Sequence, residues 1–211
     1  MNILAIDSTH NICSAAFFNG KEIVSEIVEN MERGQAERLL PMVQDVLAKA
    51  KVTFKDINAV AVTTGPGSFT GVRVGLAAAD GIALAAGLPM IGVSVFDVFA
   101  WKINKLRPDI KKVCLVLETK REDFYAQCFE AGKYVTKPAV MQARDLADLD
   151  GYIFAGNAAD RLKEEIEKIS VLDIPMPTAG EIASFSANKT PQKEYPDPLY
   201  LREAEVTLCQ K

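Results

Sequence analysis

Thr64-Gly65-Pro66-Gly67-Ser68-Phe69-Thr70-Gly71 follows an apolar run at 57–63 and opens a helical pattern that continues to about residue 86. A strand that passes through a glycine-rich loop into a helix presents backbone N–H groups where the helix dipole favours an anion. Gly65, Gly67 and Ser68 are the loop's candidates for anion or nucleotide contacts. The loop lacks the lysine of a P-loop and the third glycine of a dinucleotide fingerprint, so a structural tight turn is the competing reading.

The helix beyond the loop is apolar on nearly every side, because residues 70–90 carry only Arg73 and Asp80 as charges. Such a helix must be covered on more than one face. Gly71, Gly75 and Ala79 repeat every four residues and, with Ala86 seven further on, form a small-residue stripe that lets another backbone come close. That backbone belongs either to the same lobe or to a partner helix.

Upstream, apolar runs at 2–6, 12–18 and 22–28, with Asn19-Gly20 between the last two, predict three antiparallel strands. Ala36, Leu39, Leu40, Val43, Leu47 and Ala50 then fall on one helical face, and Pro41 places the start of that helix near Glu37 or kinks it. Downstream, a helix is predicted at 95–106, followed by a change of lobe near Arg107-Pro108-Asp109. Strands at 113–117 and 124–129, symmetric about Arg121, would set Cys114 opposite Cys128. Helices are expected at 143–149, 158–170 and 179–188, with a short strand at 152–155. Pro191, Pro196 and Pro198 make the tail an extended strap. The resulting division is an N-terminal lobe at 1–107, a C-terminal lobe at 108–190 and a tail at 191–211 packing back on the lobes.

With 211 residues, 49% of them hydrophobic, the chain can bury about 70% of its unfolded surface and needs no disulfide or metal staple. Cys13, Cys114, Cys128 and Cys209 contain no C-x-x-C pair, and reduced thiols are expected. No run approaches the ~20 apolar residues of a membrane span. Asp7 interrupts Ile3-Leu4-Ala5-Ile6 as no signal peptide would, so a cytoplasmic location is the expectation. The net charge is −4, which confines any RNA contact to local basic clusters; the densest, at 102–112, lacks interleaved aromatics and reads as a solvated lobe junction. A single histidine, His10, rules out a paired-histidine metal helix, and a lone turn histidine is usually solvated.

Ile3-Leu4-Ala5-Ile6-Asp7-Ser8-Thr9 with Cys13-Ser14-Ala15-Ala16, Glu37-Arg38-Leu39-Leu40-Pro41, Gly65 through Gly75, and Pro198-Leu199-Tyr200-Leu201-Arg202 together closely resemble the TsaB family, also called YeaZ. The resemblance runs from end to end and implies the two-lobed α/β fold of the actin, Hsp70 and sugar-kinase (ASKHA) group, with ribonuclease H-like sheets flanked by helices. It implies a part in making threonylcarbamoyladenosine (t6A) in tRNA, as a non-catalytic scaffold without cofactor or metal. The implied partners are a TsaD-like catalytic subunit, a TsaE-like ATPase and, for the isolated protein, a second copy; contact with tRNA through the complex stays open.

The docking surface implied lies on the first two helices, at Leu39, Leu40, Val43, Leu47, Gly71, Val72, Gly75, Ala78, Ala79 and Ile82. The superfamily holds metal and phosphates where Asp7, Ser8 and Thr9 stand here, but side chains fill the turn in which it generally has glycine. A small-molecule kinase or ATPase of the same superfamily is the alternative. The chain departs from the family pattern at Gln35-Ala36 and at Glu118-Thr119-Lys120, where lysine replaces a forked guanidinium.

Overall fold

The computed structural model describes residues 1–202. The expected tail beyond them, Cys209 included, lies outside the described residues. The chain opens with β1 (Ile3–Asp7), β2 (Ile12–Phe18) and β3 (Ile23–Asn30), followed by α1 (Gln35–Ala50), β4 (Ala59–Gly65), α2 (Phe69–Ala86), β5 (Met90–Ser94) and α3 (Val95–Leu106). The strands form one sheet in the order β3-β2-β1-β4-β5, antiparallel through β1 and parallel from β1 to β5. β1 is buried along its whole length, which its unbroken apolar run requires of a central strand covered on both faces. At the edge, β3 alternates half-buried and exposed residues.

The alternation of β1 decides how those faces are covered. Leu4 and Ile6 meet α1 and α2 through Leu39, Val43, Leu47, Val72, Leu76 and Ala79. Ile3 and Ala5 face the other way and are covered by Ala179, Ile182 and Ala183. Those three come from α6 (Ala179–Ser186), so this helix packs on the first sheet although the sequence assigned it to the lobe at 108–190. The chain returns because a sheet apolar on two faces needs two layers.

The second sheet is built from β6 (Lys112–Glu118), β7 (Phe124–Glu130), β8 (Lys133–Tyr134), β9 (Ala139–Met141), β10 (Ile153–Ala155) and β11 (Ser170–Leu172), with α4 (Ala143–Ala147) and α5 (Ala159–Glu165) between strands. Its order is β11-β10-β6-β7-β8, and β9 also pairs with β7. Cys114 lies opposite Cys128 in the β6–β7 hairpin, and both are free thiols, as is Cys13. The helix expected at 158–170 stops at Glu165, and residues 170–172 instead run parallel to β10. Ile166, Ile169 and Val171 pack on the core there, and such β-branched side chains are crowded in a helix.

The start of α1 lies near the expected Glu37, and one further expectation is corrected, at α2. α1 begins at Gln35 and runs through Pro41; the carbonyl of Glu37 that a proline leaves without its helical donor lies on an exposed turn, where water can reach it. α2 has the length and apolarity to cross a membrane, but Val72, Leu76, Ala79, Ile82 and Ala83 are packed into the first lobe. In the described part of the tail, 191–202, Gln192 pairs with Met90, the Leu199 N–H donates to the Thr64 carbonyl at 2.8 Å, and Arg202 reaches Asp123 at the end of the β6–β7 turn, forming a strap.

Gly71, Gly75 and Ala79 of the small-residue stripe face inward, whereas Ala86 lines the outer groove of α2. A Cβ on Gly71 would lie 2.1 Å from the Ser8 carbonyl oxygen, and one on Gly75 would lie 3.0 Å from Ser8 Oγ. Gly81, on the outer side of the same helix, has nothing within 4 Å. Gly71→Ala should therefore lower unfolding stability in urea by about 1–3 kcal/mol. Gly81→Ala should stabilise by up to about 1 kcal/mol through helix propensity; equal effects would contradict the assignment of the two faces.

Candidate functional site

The end of β1 and the loop before α2 meet in a contact that only glycines permit. A Cβ on Gly67 would lie 2.4 Å from the Thr9 carbonyl oxygen. That oxygen accepts the Ser68 N–H at 2.8 Å. Ser8 Oγ donates to the Gly71 carbonyl at 2.8 Å, and Ser68 Oγ caps α2 by accepting the Gly71 N–H at 3.0 Å. Asp7 Oδ1 accepts from the Thr63 hydroxyl, from Thr9 Oγ1 at 2.8 Å and from the Thr9 N–H at 3.2 Å. The structure thus gathers Asp7, Ser8, Thr9, Gly67 and Ser68 in one place, with these polar groups turned on one another. Gly65 lies behind them at φ 109, its absent Cβ 3.1 Å from the Leu199 carbonyl of the strap. The loop's geometry is that of a tight turn packed on its neighbour.

His10 is not solvated. Its relative exposure is 9%, and its Nδ1 lies 2.9 Å from Thr9 Oγ1. The single hydroxyl hydrogen of Thr9 is given to Asp7, so Thr9 Oγ1 must accept from Nδ1–H, which assigns the tautomer and leaves Nε2 without a proton. Nε2 is buried and has no hydrogen-bond partner among the described residues. Burial pulls the His10 pKa below its usual value, against the opposing charge of Asp7. The ring borders two cavities, one of about 450 Å³ between the lobes and one of about 330 Å³ beside the N-terminus of α1.

Of the expected docking residues, Leu39, Val43, Leu47, Gly71, Val72, Gly75 and Ala79 are buried within the chain itself. Leu40 and Ala78 reach the surface, and Ile82 forms part of the floor of an open apolar groove of about 610 Å³ between α1 and α2. Its other walls are Phe54, Lys55, Ala77, Gly81, Ala85 and Ala86, and Leu84, at 81% exposure, follows on the same turn of α2 outside the lining. Sequence reading missed these residues by following the stripe that the Ser8 carbonyl occupies. The equally apolar positions 77, 78, 81 and 85, on the adjoining face of the helix, carried the signal.

On the second lobe, Glu118 pairs with Arg161 through two contacts of 3.1 Å, and Lys120 adopts a left-handed φ of 60. The basic stretch at 102–112 is largely paired. Lys102 is buried against Glu181, and Arg107 forks onto Asp109. Lys112 faces Glu130, and Lys111 donates to the Pro108 carbonyl.

Two three-layered sheets joined by a strap, with a cleft between them, define a protein of the actin, Hsp70 and sugar-kinase class. The fold likeness extends to component A of the Acidaminococcus fermentans (R)-2-hydroxyglutaryl-CoA dehydratase, at a TM-score of 0.50 over 90% of this chain, all of that chain, and 14% identity. A family model described as TsaD, tRNA N6-adenosine threonylcarbamoyltransferase, matches residues 22–198. The chain is 32% identical to the Escherichia coli K12 tRNA threonylcarbamoyladenosine biosynthesis protein TsaB, over 96% of its own length and 95% of that protein. It superposes on YeaZ from Pseudomonas aeruginosa at a TM-score of 0.80, over 95% of this chain and 99% of that one, with 26% identity. The chain belongs to the TsaB/YeaZ family of tRNA threonylcarbamoyladenosine biosynthesis proteins.

The buried neutral histidine gives stability a pH dependence of known sign. Below its usual value near 6.5 the unfolded chain takes up a proton at His10 that the folded chain resists, so stability falls as pH falls through that window. Relative to His10→Gln, the native chain should lose up to about 1.4 kcal/mol per pH unit between about pH 6.5 and its lower folded value. Parallel stability curves for the two proteins in urea would contradict the assignment.

Proposed function

We propose that this chain is a non-catalytic scaffold of the t6A pathway that docks a TsaD-like catalytic subunit through the α1–α2 groove. The observation that carries the reading is the pairing of an open apolar groove with closed chemistry. Leu40, Phe54, Ala77, Ala78 and Leu84 are offered to solvent on one surface, and scattered apolar exposure rarely concentrates this way on a surface without a partner. Asp7, Ser8 and Thr9 are engaged with their neighbours. That arrangement speaks against the kinase or ATPase alternative, which needs those groups free for metal and phosphates.

In this reading the buried members of the original set, Leu39, Val43, Leu47, Gly71, Val72, Gly75 and Ala79, hold the two helices at the spacing that shapes the groove. A TsaE-like ATPase acts on the assembled pair in the cytoplasm, and any tRNA contact is made by the complex. Without its partner the groove pairs with a second copy. The lobes are residues 1–107 together with α6, and the segment from 108 to the start of α6, closed by the tail.

Leu84→Asp and Ala77→Arg place charge at the groove without entering the core. Both should melt within a few degrees of the native chain. Each should weaken capture of the co-expressed catalytic subunit by about 10–100-fold, the value of one buried leucine or an unpaired charge, and lower t6A formation accordingly. Unchanged capture by both variants would mean the partner binds elsewhere.

A further inference from the structure

The sheet of the second lobe holds two thiols that neither the docking groove nor the cleft uses. Cys114 in β6 and Cys128 in β7 stand directly opposite in the antiparallel register, and both join the core built with Leu146, Phe154 and Leu162. The backbone decides how close they come. The Cys128 carbonyl accepts the Val135 N–H at 2.9 Å, and the Cys128 N–H donates to Thr136 Oγ1 at 2.9 Å, so both of its main-chain groups turn away from β6. Cys114 and Cys128 are therefore a non-hydrogen-bonded pair, the closer of the two antiparallel kinds, with Cα atoms about 4.5 Å apart. Disulfides span Cα separations of about 4.4–6.8 Å, so the strands already stand where a bridge needs them.

The two thiols differ in readiness. A hydrogen bond from the Cys114 S–H to the Cys128 sulfur pushes the Cys114 thiol well above its usual value and draws Cys128 below it, with Thr136 adding to the second effect. Cys128 is thus the nucleophile of the pair, and Cys114 is in place to resolve what it forms. Burial, at 0% and 2% exposure, slows entry of an oxidant. The covering edge is thin, however: β8 has two residues and β9 three, and Tyr134 and Val135 between them are 69% and 50% exposed. An edge with so few contacts opens locally at lower cost than the whole chain unfolds. Cys13 offers a contrast, because it lies in the first lobe's core, where burial raises its thiol to about 11.

We propose that Cys114 and Cys128 form a reversible redox site that closes to a disulfide when the chain meets a peroxide. The Cys128 sulfur attacks one peroxide oxygen, the O–O bond breaks, and the other oxygen leaves as water with the thiol proton, giving a sulfenic acid. The Cys114 sulfur then displaces the sulfenic oxygen, which departs as a second water with the Cys114 proton. Two thiols and one hydrogen peroxide become one disulfide and two waters, and the two electrons lost by the sulfurs reduce the peroxide. A dithiol reductant restores both thiols.

Trypsin cuts after Lys112, Lys120, Arg121 and Lys133, which puts Cys114 in the peptide 113–120 and Cys128 in 122–133. The full-length protein is treated with excess hydrogen peroxide in native buffer, its remaining thiols are alkylated, and it is digested without reductant for mass spectrometry. The two peptides should appear cross-linked, lighter than their sum by two hydrogens, and dithiothreitol before alkylation should return both as thiols. The peptide holding Cys13 should stay alkylated. Cys114→Ala should stop at the first step, with Cys128 trapped by dimedone as a sulfenic acid, whereas Cys128→Ala should leave Cys114 a thiol. If either variant does not fold, the map of the native chain decides. A bridge that forms only in urea, a disulfide from either residue to a different cysteine, sulfinic acid without a bridge, or equal dimedone trapping in the two variants would overturn the proposal.

Discussion

The rest of the structure depends on a backbone contact: the Ser8 and Thr9 carbonyls press into the spaces left by Gly71 and Gly67. Neither contact survives a Cβ. The approach fixes the end of β1 against the start of α2, so the helix lies close over the sheet and buries Val72, Leu76 and Ala79 against Leu4, Ile6 and Val62. It also places the Thr9 carbonyl on the Ser68 N–H, where an anion would otherwise find a donor. One steric fact thereby shapes the core and shuts a binding position.

What the contact closes on one side it opens on the other. With its glycine stripe turned inward, α2 presents Ala77, Ala78, Gly81, Leu84 and Ala85 outward beside Leu40 of α1. The same turn carries His10 into the cleft, and the strap from Gln192 to Arg202 joins the sheets by binding Met90, Thr64 and Asp123 in succession. Phe69, Arg73 and Tyr200 fasten that strap to α2, with the guanidinium 3.7 Å from the Phe69 ring and its Nε donating to the Tyr200 hydroxyl.

Much of this was legible in the sequence because it is local. The hairpin register that pairs Cys114 with Cys128 follows from two apolar runs around a charged turn, and α3 follows from its periodicity. The placement of α6 was not legible, since cover for Ile3 and Ala5 comes from residues about 180 positions later and no local pattern names the recipient. The stripe on α2 was visible, but its direction was not: glycine spacing announces a close approach without saying whose backbone arrives. His10 was misjudged because its burial at 9% exposure is not written in the turn that holds it; the cavity beside it is shared with residues 66–69, far along the chain.

Hydrogen–deuterium exchange on the chain alone and in complex with its TsaD-like relative tests the central claim most directly, since exchange reports where a partner suppresses local opening. The account predicts new protection in peptides covering the outer face of α1, the turn at 54–56 and the second half of α2, with the β1–β2 turn equally protected in both states. Protection that appears at residues 7–10 and 65–69 while the α2 peptides stay unchanged would show that the partner engages the glycine contact instead of the groove. That result would contradict a scaffold whose chemistry is closed.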